Sequence, residues 1–351
     1  MHVTNPRERL ILLDWLRLWA FLAITVYHGT WILWPTKAGP PDPFPTAYWV
    51  FVSEFAYHSS YSGFTIVFVT AFVLGLKPRV FNGKRWLPLF LVGGWIVFSA
   101  ILWLREPGGF VVAWDIYPFL IVTFIVSDVL LGRMSTSGRW IAVAGSTLTL
   151  LIPFWKLQEV LPLSDAWTMV LVGICPEDFA DWPLFPWSAL VFGGLALGQL
   201  YRDRPPSTDM RVRAWEWAWI ALATFAFVWV NPHYYATPLG DGWTCYMFRR
   251  SPVLFWCYFV GILAIIRLSV DPSVQRWLSN NPIARFPSRL GINQRFFAAY
   301  LSHYLFLAGF ALLFRASLVE HPILYDVSHG ATVVLCELTA RLFSLRRLER
   351  S

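Results

Sequence analysis

The stretch from Arg9 to Trp34 constrains the fold most, because it is apolar and long enough to cross a bilayer as a helix, yet holds ionisable residues. About 20 apolar residues suffice for such a span. Asp14, Arg17 and His28 interrupt this apolar run. An ionisable side chain in the middle of a membrane helix costs about 3 kcal/mol, so it usually faces protein or a water-filled cavity and has a function.

Helical geometry places Arg17 and His28 on one face. They are eleven residues apart in the sequence. At about 100° per residue this separation is close to three full turns, and the rise of about 1.5 Å per residue puts them about 16 Å apart along the axis. Asp14 lies one turn before Arg17 and can pair with it. We expect one helix face to carry a guanidinium near one membrane surface and an imidazole near the other.

The composition predicts an all-α polytopic membrane protein. Of the 351 residues, 57% are apolar, 18% are aromatic and only 14% are charged, whereas soluble domains average about 25% charged residues. Apolar runs of helical length recur along the chain, and the alternating pattern of barrel strands is absent. The net charge of +7 reflects basic cytoplasmic loops, which set membrane topology, so we expect no nucleic-acid partner.

We predict ten transmembrane helices in a single domain covering 1–351, with both termini in the cytoplasm. The expected spans are roughly 10–34, 48–76, 87–104, 110–131, 140–155, 184–201, 214–231, 252–270, 296–315 and 325–343. Most Lys and Arg residues then fall in cytoplasmic segments, as the positive-inside rule requires. The segment 160–183 is ambiguous, and Cys175 and Cys245 fall in outer loops where one disulfide is conceivable.

The first span resembles the signature of the membrane acyltransferase-3 family, integral-membrane O-acyltransferases related to glucan-modifying succinyltransferases. The agreement covers six positions: Arg9, Leu13, Asp14, Leu16, Arg17 and His28. Weaker agreements are Phe68 to Phe72 in the second span, the basic loop after it, Tyr300 to His303 in the penultimate span, and Glu337 with Arg341 in the last. The residue after Arg17 and the Thr70-Ala71 pair depart from the family pattern.

The resemblance implies transfer of an acetyl, succinyl or other short acyl group from cytoplasmic acyl-CoA to a hydroxyl of a glycan, lipid-linked saccharide or secreted small molecule. The chemistry agrees, because such a transfer needs a base that titrates near neutral pH and a cationic hold on donor phosphates. We therefore expect His28 to be the base or a transient acyl carrier. The expected donor-binding residues are Arg17, Arg79, Lys84 and Arg85.

Further polar residues are candidates for the same cavity. Glu54 and His58 lie four apart on one predicted helix face, where a carboxylate could orient an imidazole; a helix-stabilising or interfacial pair is the alternative. Asp115 lies at similar depth. His303 and Glu337 either line the cavity or bond between helices. With no third ligand beside Glu54 and His58, we expect no metal site.

The sequence thus predicts a membrane O-acyltransferase of a bacterial inner membrane, acting with the bilayer, acyl-CoA and a glycan or other acceptor. Two alternatives remain. A secondary transporter or flippase would also embed Arg and His in the membrane, but would show matched halves. A non-catalytic scaffold or sensor would tolerate the loss of His28. Neither the oligomeric state nor the acceptor follows from the sequence.

Overall fold

The structure is a computed structural model. It describes residues 10–33, 63–77, 86–105, 116–149, 170–171, 184–203, 217–218, 221, 252–320 and 322–348. Within these ranges every secondary-structure element is a helix, so the predicted all-α class is confirmed for the part of the chain that can be described.

The long helices follow the apolar runs of the sequence. In chain order they are α1 Ile11–Ile32, α2 Gly63–Gly75, α3 Trp86–Arg105, α4 Ile116–Gly132, α5 Thr136–Thr149, α6 Leu184–Asp203 and α7 Pro252–Ser269. The others are α8 Pro272–Asn280, α9 Phe286–Arg289, α10 Gly291–Gln294, α11 Phe296–Glu320 and α12 Pro322–Leu348. More than half of each of the predicted spans 48–76 and 214–231 lies outside the described residues. The same holds for Cys175, Cys245 and all of the segment 160–183 except residues 170–171.

Two of the described helices are long and apolar enough to cross a membrane. These are Ile11–Gly29 within α1 and Phe296–Phe314 within α11. Shorter apolar helices occur at Gly63–Gly75, Leu91–Ile101, Ile116–Gly132 and Val260–Ser269. The predicted count of ten transmembrane helices therefore stays a prediction.

The described chain divides into two compact units. The first unit holds the described residues between Val67 and Val274. In it α6 packs against α4 and α5, and α3 packs against α4. Close approach of α2 and α6 depends on glycines: a Cβ built on Gly75 would lie 2.3 Å from the Leu195 carbonyl oxygen, and one on Gly198 would lie 2.2 Å from the Phe72 carbonyl oxygen.

The second unit contains Arg9–Ile66 and Gln275–Ser351. Its core is formed by α1, α11 and α12, which all contact one another. Phe21, near the middle of α1, is buried and meets Phe296 and His303 edge-on at ring-centroid distances of 6.4 and 6.0 Å. Phe21 contacts the start of α11 and His28, further along α1, contacts His303 and Tyr304, so the two helices run in the same direction.

Three short helices occupy 272–294, which the sequence treats as a loop. Side chains hold this segment to α1: Trp15 Nε1 donates to the Ala284 carbonyl at 2.9 Å, and Asn293 Nδ2 donates to the Asp14 carbonyl at 2.8 Å. On the α12 side, the Glu337 carboxylate accepts the backbone N–H groups of Gly291 and Ile292, each at 2.9 Å. The segment 272–294 is therefore held against α1 and α12, and it is called the base segment below because of its place at the ends of these helices.

Candidate active site

His28 lies in the penultimate turn of α1, which is one continuous helix from Ile11 to Ile32. Ahead of it, the Thr25 hydroxyl bonds back to the Phe21 carbonyl at 2.8 Å, so this polar residue is satisfied within the helix. The imidazole of His28 is partly buried. Gly29 follows, and a Cβ there would lie 1.7 Å from Nε2 of His329, so glycine allows α12 to pack directly against α1 beside His28.

Both ring nitrogens of His28 bond to side chains of α11. Its Nδ1 is 2.7 Å from Nε2 of His303, and its Nε2 is 3.1 Å from the hydroxyl of Tyr304. The other nitrogen of His303, Nδ1, bonds to the backbone carbonyl oxygen of Tyr300. Four groups thus form one continuous chain: the Tyr304 hydroxyl, the two imidazoles and the Tyr300 carbonyl.

The carbonyl at one end sets the direction of the whole chain. A carbonyl oxygen only accepts hydrogen bonds, so Nδ1 of His303 must carry a hydrogen. A neutral imidazole has one donor and one acceptor nitrogen, which leaves Nε2 of His303 to accept from Nδ1 of His28. Nε2 of His28 then holds the lone pair and accepts from the Tyr304 hydroxyl. The basic atom of His28 is therefore Nε2.

Aromatic rings enclose this chain. The two imidazoles lie edge to edge and nearly coplanar, with ring centroids 5.0 Å apart and planes 10° from parallel, as a hydrogen bond between ring nitrogens requires. Tyr304 lies against both rings, at 4.6 Å from His28 and 4.2 Å from His303, and its side chain is buried. Tyr300 meets His303 edge-on at 5.0 Å. Such an environment keeps water out and strengthens each hydrogen bond by lowering the local dielectric.

The structure brings three of the predicted site residues together, namely His28, His303 and Tyr300. Asp14 is buried on the first turn of α1, and Arg17 follows it, partly buried; their pairing stays a prediction. Glu337 bonds to the backbone of Gly291 and Ile292 between helices, and it pairs with Arg341 within α12 at 2.6 Å; a place in the cavity stays a prediction. The remaining predicted residues lie outside the described residues: Glu54, His58, Arg79, Lys84, Arg85 and Asp115.

Sequence reasoning missed Tyr304 and gave no weight to His329. Tyr304 follows His303 directly and comes one helical turn after Tyr300, so helical spacing would have placed all three side chains near one another. His329 lies on α12, bonded to the Tyr325 carbonyl at 3.3 Å and packed on Gly29. Within the part of the chain that the structure describes, no group of three or more His, Cys, Asp and Glu side chains could hold a metal ion.

Comparison with known protein families gives one match. A family model described as the catalytic domain of heparan-alpha-glucosaminide N-acetyltransferase matches residues 9–226, which is more than half of the 351 residues. The chain belongs to this family. No curated protein and no solved structure matches.

Membership of this acetyltransferase family supports a transferase. The matched segment begins at Arg9 and includes Asp14, Arg17 and His28. It ends before α11, so His303 and Tyr304 are brought to the site by the structure and not by the family match. The acyltransferase-3 family, which the first span resembles, is not the one that matches, and that resemblance stays a prediction.

Proposed function

We propose that this member of the acetyltransferase family is an integral-membrane enzyme that moves an acetyl or other short acyl group from acyl-CoA to an acceptor, with His28 as general base. The observation that carries the proposal is the hydrogen-bond chain, which leaves a lone pair on Nε2 of His28 while Nδ1 is held by His303. An imidazole held in this way presents a lone pair that can accept a proton in the transition state of acyl transfer.

The reaction balances with this single base. Nε2 of His28 gains one proton and the acceptor group loses one as the acceptor oxygen or nitrogen attacks the thioester carbonyl carbon. The carbon–sulfur bond breaks, and the departing thiolate recovers that proton from the imidazolium. If His28 instead carries the acyl group, Nε2 is still the attacking atom, because Nδ1 holds a hydrogen.

Donor binding is the second part of the proposal. Arg17, with Arg79, Lys84 and Arg85 of the following basic loop, would bind the phosphates of the donor at the cytoplasmic end. The extended pantetheine arm would cover the distance of about 16 Å that eleven helical residues imply. With ten spans in a bacterial inner membrane and both termini in the cytoplasm, the donor would enter from the cytoplasm and the acceptor from the opposite side.

Two chemical groups are candidates for the acceptor, a hydroxyl and an amine. The resemblance of the first span to O-acyltransferases favours a hydroxyl of a glycan, a lipid-linked saccharide or a secreted small molecule. The description of the matched family names an N-acetyltransferase acting on a glucosaminide, which favours the amine of an amino sugar. Matched acceptor pairs that differ only in an amine or a hydroxyl at one sugar position, incubated with radiolabelled acetyl-CoA, would separate the two.

The test uses purified full-length protein in lipid nanodiscs. His28→Gln should lower transfer from acetyl-CoA by about 100-fold or more, the usual contribution of a general base. His329→Gln is the matched control, because that histidine belongs to α12 and bonds to the Tyr325 carbonyl; it should keep most of the activity. Full activity of His28→Gln would overturn the assigned role.

Two further measurements separate the alternatives. A secondary transporter or flippase would move substrate across proteoliposomes without any acyl donor. A scaffold or sensor would show neither flux nor transfer. Acid-quenching the enzyme with labelled acetyl-CoA but no acceptor tests the acyl-carrier route, since label retained on His28 would replace the general-base mechanism.

A further inference from the structure

The direction of the hydrogen-bond chain assigns roles to two residues beyond His28. We propose that His303 is a positioning residue that holds His28 in the tautomer with its lone pair on Nε2, and that Tyr304 passes the acceptor's proton to that nitrogen. The inference rests on the proposed transferase function. It names the residues of α11 that would make His28 an effective base.

The positioning role of His303 follows from its two partners. Its Nδ1–H is committed to the Tyr300 carbonyl, so its Nε2 can only accept, and the group 2.7 Å away is Nδ1 of His28. Without that acceptor, His28 would gain little from keeping its hydrogen on Nδ1, and the tautomer with Nε2–H would become populated. That tautomer cannot accept a proton at the reacting position. A carboxylate plays this orienting part in the serine protease triad.

The relay role of Tyr304 follows from where its hydroxyl lies. Its oxygen is 3.1 Å from Nε2 of His28, so the lone pair of the base faces this phenol. The ring is buried and lies against both imidazoles, which fixes the hydroxyl in place. A hydroxyl that donates to Nε2 still has oxygen lone pairs that can accept a hydrogen bond from an acceptor group.

The proton movements are then concerted and balanced. As the acceptor attacks the thioester carbon, its proton moves to the Tyr304 oxygen while the Tyr304 proton moves to Nε2 of His28. The resulting imidazolium keeps its Nδ1–H bond to His303, so no side chain has to reorient. When the carbon–sulfur bond breaks, the same path returns the proton to the thiolate. Preorganised groups of this kind avoid a reorganisation cost during the reaction.

Two substitutions at position 303 test the positioning role. His303→Phe keeps an aromatic ring but removes the acceptor, and should lower kcat by about 100-fold with little change in KM for acetyl-CoA, because general-base catalysis is lost. His303→Gln places an amide oxygen near the former Nε2 and should restore much of the rate. Equal loss in both variants, or none in either, would contradict the positioning role.

The tautomer of His28 can be measured by NMR, which does not depend on enzymatic activity. With ¹⁵N-labelled histidine in nanodiscs, the wild type should give one His28 signal pair with a protonated Nδ1 and an unprotonated Nε2, assigned by its absence in His28→Gln among seven histidines. His303→Phe should populate both tautomers, and His303→Gln should not. An unchanged His28 tautomer in His303→Phe, with the other histidine signals retained as evidence of folding, would overturn the proposal.

The relay is tested by Tyr304→Phe, which removes one oxygen atom from a buried ring. We expect kcat to fall about tenfold or more. The rate in mixtures of H₂O and D₂O should depend on deuterium fraction quadratically in the wild type, where two protons move, and linearly in Tyr304→Phe. A linear wild-type plot would remove Tyr304 from the proton path.

These outcomes separate the inference from the proposed function. No transfer by the wild type with either class of acceptor would contradict the transferase proposal, while the NMR measurement would still decide the tautomer. An active wild type, an inactive His28→Gln and an unaffected His303→Phe would retain His28 as the base and remove His303 from the mechanism.

Discussion

The helices inside one unit are held together by a different kind of contact from the helices inside the other. In the first, α2 and α6 approach so closely that glycines face backbone: Gly194 lies against the Phe68 carbonyl, with only 2.8 Å for an added Cβ. In the second, α1 and α11 meet through ring contacts and hydrogen bonds between side chains, with His28 bonded to both His303 and Tyr304. Small residues and interhelical polar bonds are the two ways in which membrane helices associate.

The difference indicates which unit has room for chemistry. A glycine contact fixes two backbones at the shortest possible distance and leaves no side chain to move a proton. A contact made by imidazoles and a phenol keeps the helices further apart and places exchangeable hydrogens between them. We therefore expect substitutions at the glycine contact between α2 and α6 to change stability alone, and substitutions around α1 and α11 to change activity first.

The largest loss of stability is expected for Gly198→Ala. Its new Cβ would lie 2.2 Å from the Phe72 carbonyl oxygen, a backbone atom that cannot move without shifting α2. Overpacking of this kind costs about 3 kcal/mol or more, so Tm in nanodiscs should fall by many degrees. Gly93→Ala is the control, because no described atom lies within 4 Å of its Cβ. Equal Tm values for the two variants would break the proposed distinction.

Gly29→Ala should have a smaller and repairable effect. The atom in its way is Nε2 of His329, 1.7 Å from the new Cβ, and a side chain can be removed. Gly29→Ala alone should shift α1 and lower both Tm and transfer, because His28 is the preceding residue. Adding His329→Ala should restore part of both losses, a coupling that a double-mutant cycle measures. Additive losses would show that the close contact with His329 is not the cause.

Glu337→Gln tests the base segment. The carboxylate accepts two backbone N–H groups at 2.9 Å, and the neutral amide has only one acceptor oxygen. Loss of one charge-assisted bond should cost about 1–3 kcal/mol, measured as a lower Tm with the kcat of the surviving enzyme little changed. Arg341→Met is the control: its guanidinium is 58% exposed, and exposed pairs contribute little. A loss of kcat without a loss of stability would instead give Glu337 a role in the reaction.

Local pattern was enough to predict the long helices. The apolar runs predicted both ends of α1, α6 and α7 to within two residues. This was possible because the apolar length and the flanking charges are encoded in consecutive residues. The 272–294 segment was not predictable in this way. Its helices α9 and α10 have only four residues each, too few for a helical period to repeat, and side chains from α1 and α12 hold them.

The site was predictable residue by residue but not as an arrangement. The spacing within α1 selected His28, and the resemblance selected Tyr300 and His303. The bond between His28 and His303 joins residues 275 positions apart, which no local pattern encodes. The direction of the hydrogen-bond chain depends on the backbone carbonyl of Tyr300. The hydrogen-bond partner of a backbone carbonyl cannot be read from the identity of its residue.

The smallest effect is expected at the ion pairs of the first unit. Asp203 is 2.7 Å from Nε of Arg202 and 2.5 Å from Nη1 of Arg139. The hydrogen bond from Arg202, followed by its charge and the contacts with Arg139, lowers the pKa of Asp203 despite an opposing desolvation. The carboxylate therefore stabilises the fold above its unfolded pKa of about 3.9, and this contribution is lost as the pH falls through the lower folded pKa.

Asp203→Asn should accordingly lower the free energy of unfolding by less than about 1 kcal/mol at pH 7. The side chain of Asp203 is 35% exposed, so solvent screens its ion pairs with Arg139 and Arg202. The measurement is the difference in Tm between wild type and variant as a function of pH, which cancels the titration of other groups. The difference should be constant near neutral pH and vanish in acid, with transfer unchanged throughout at neutral pH. A variant that loses activity at pH 7 while keeping its Tm would instead give Asp203 a role in the reaction.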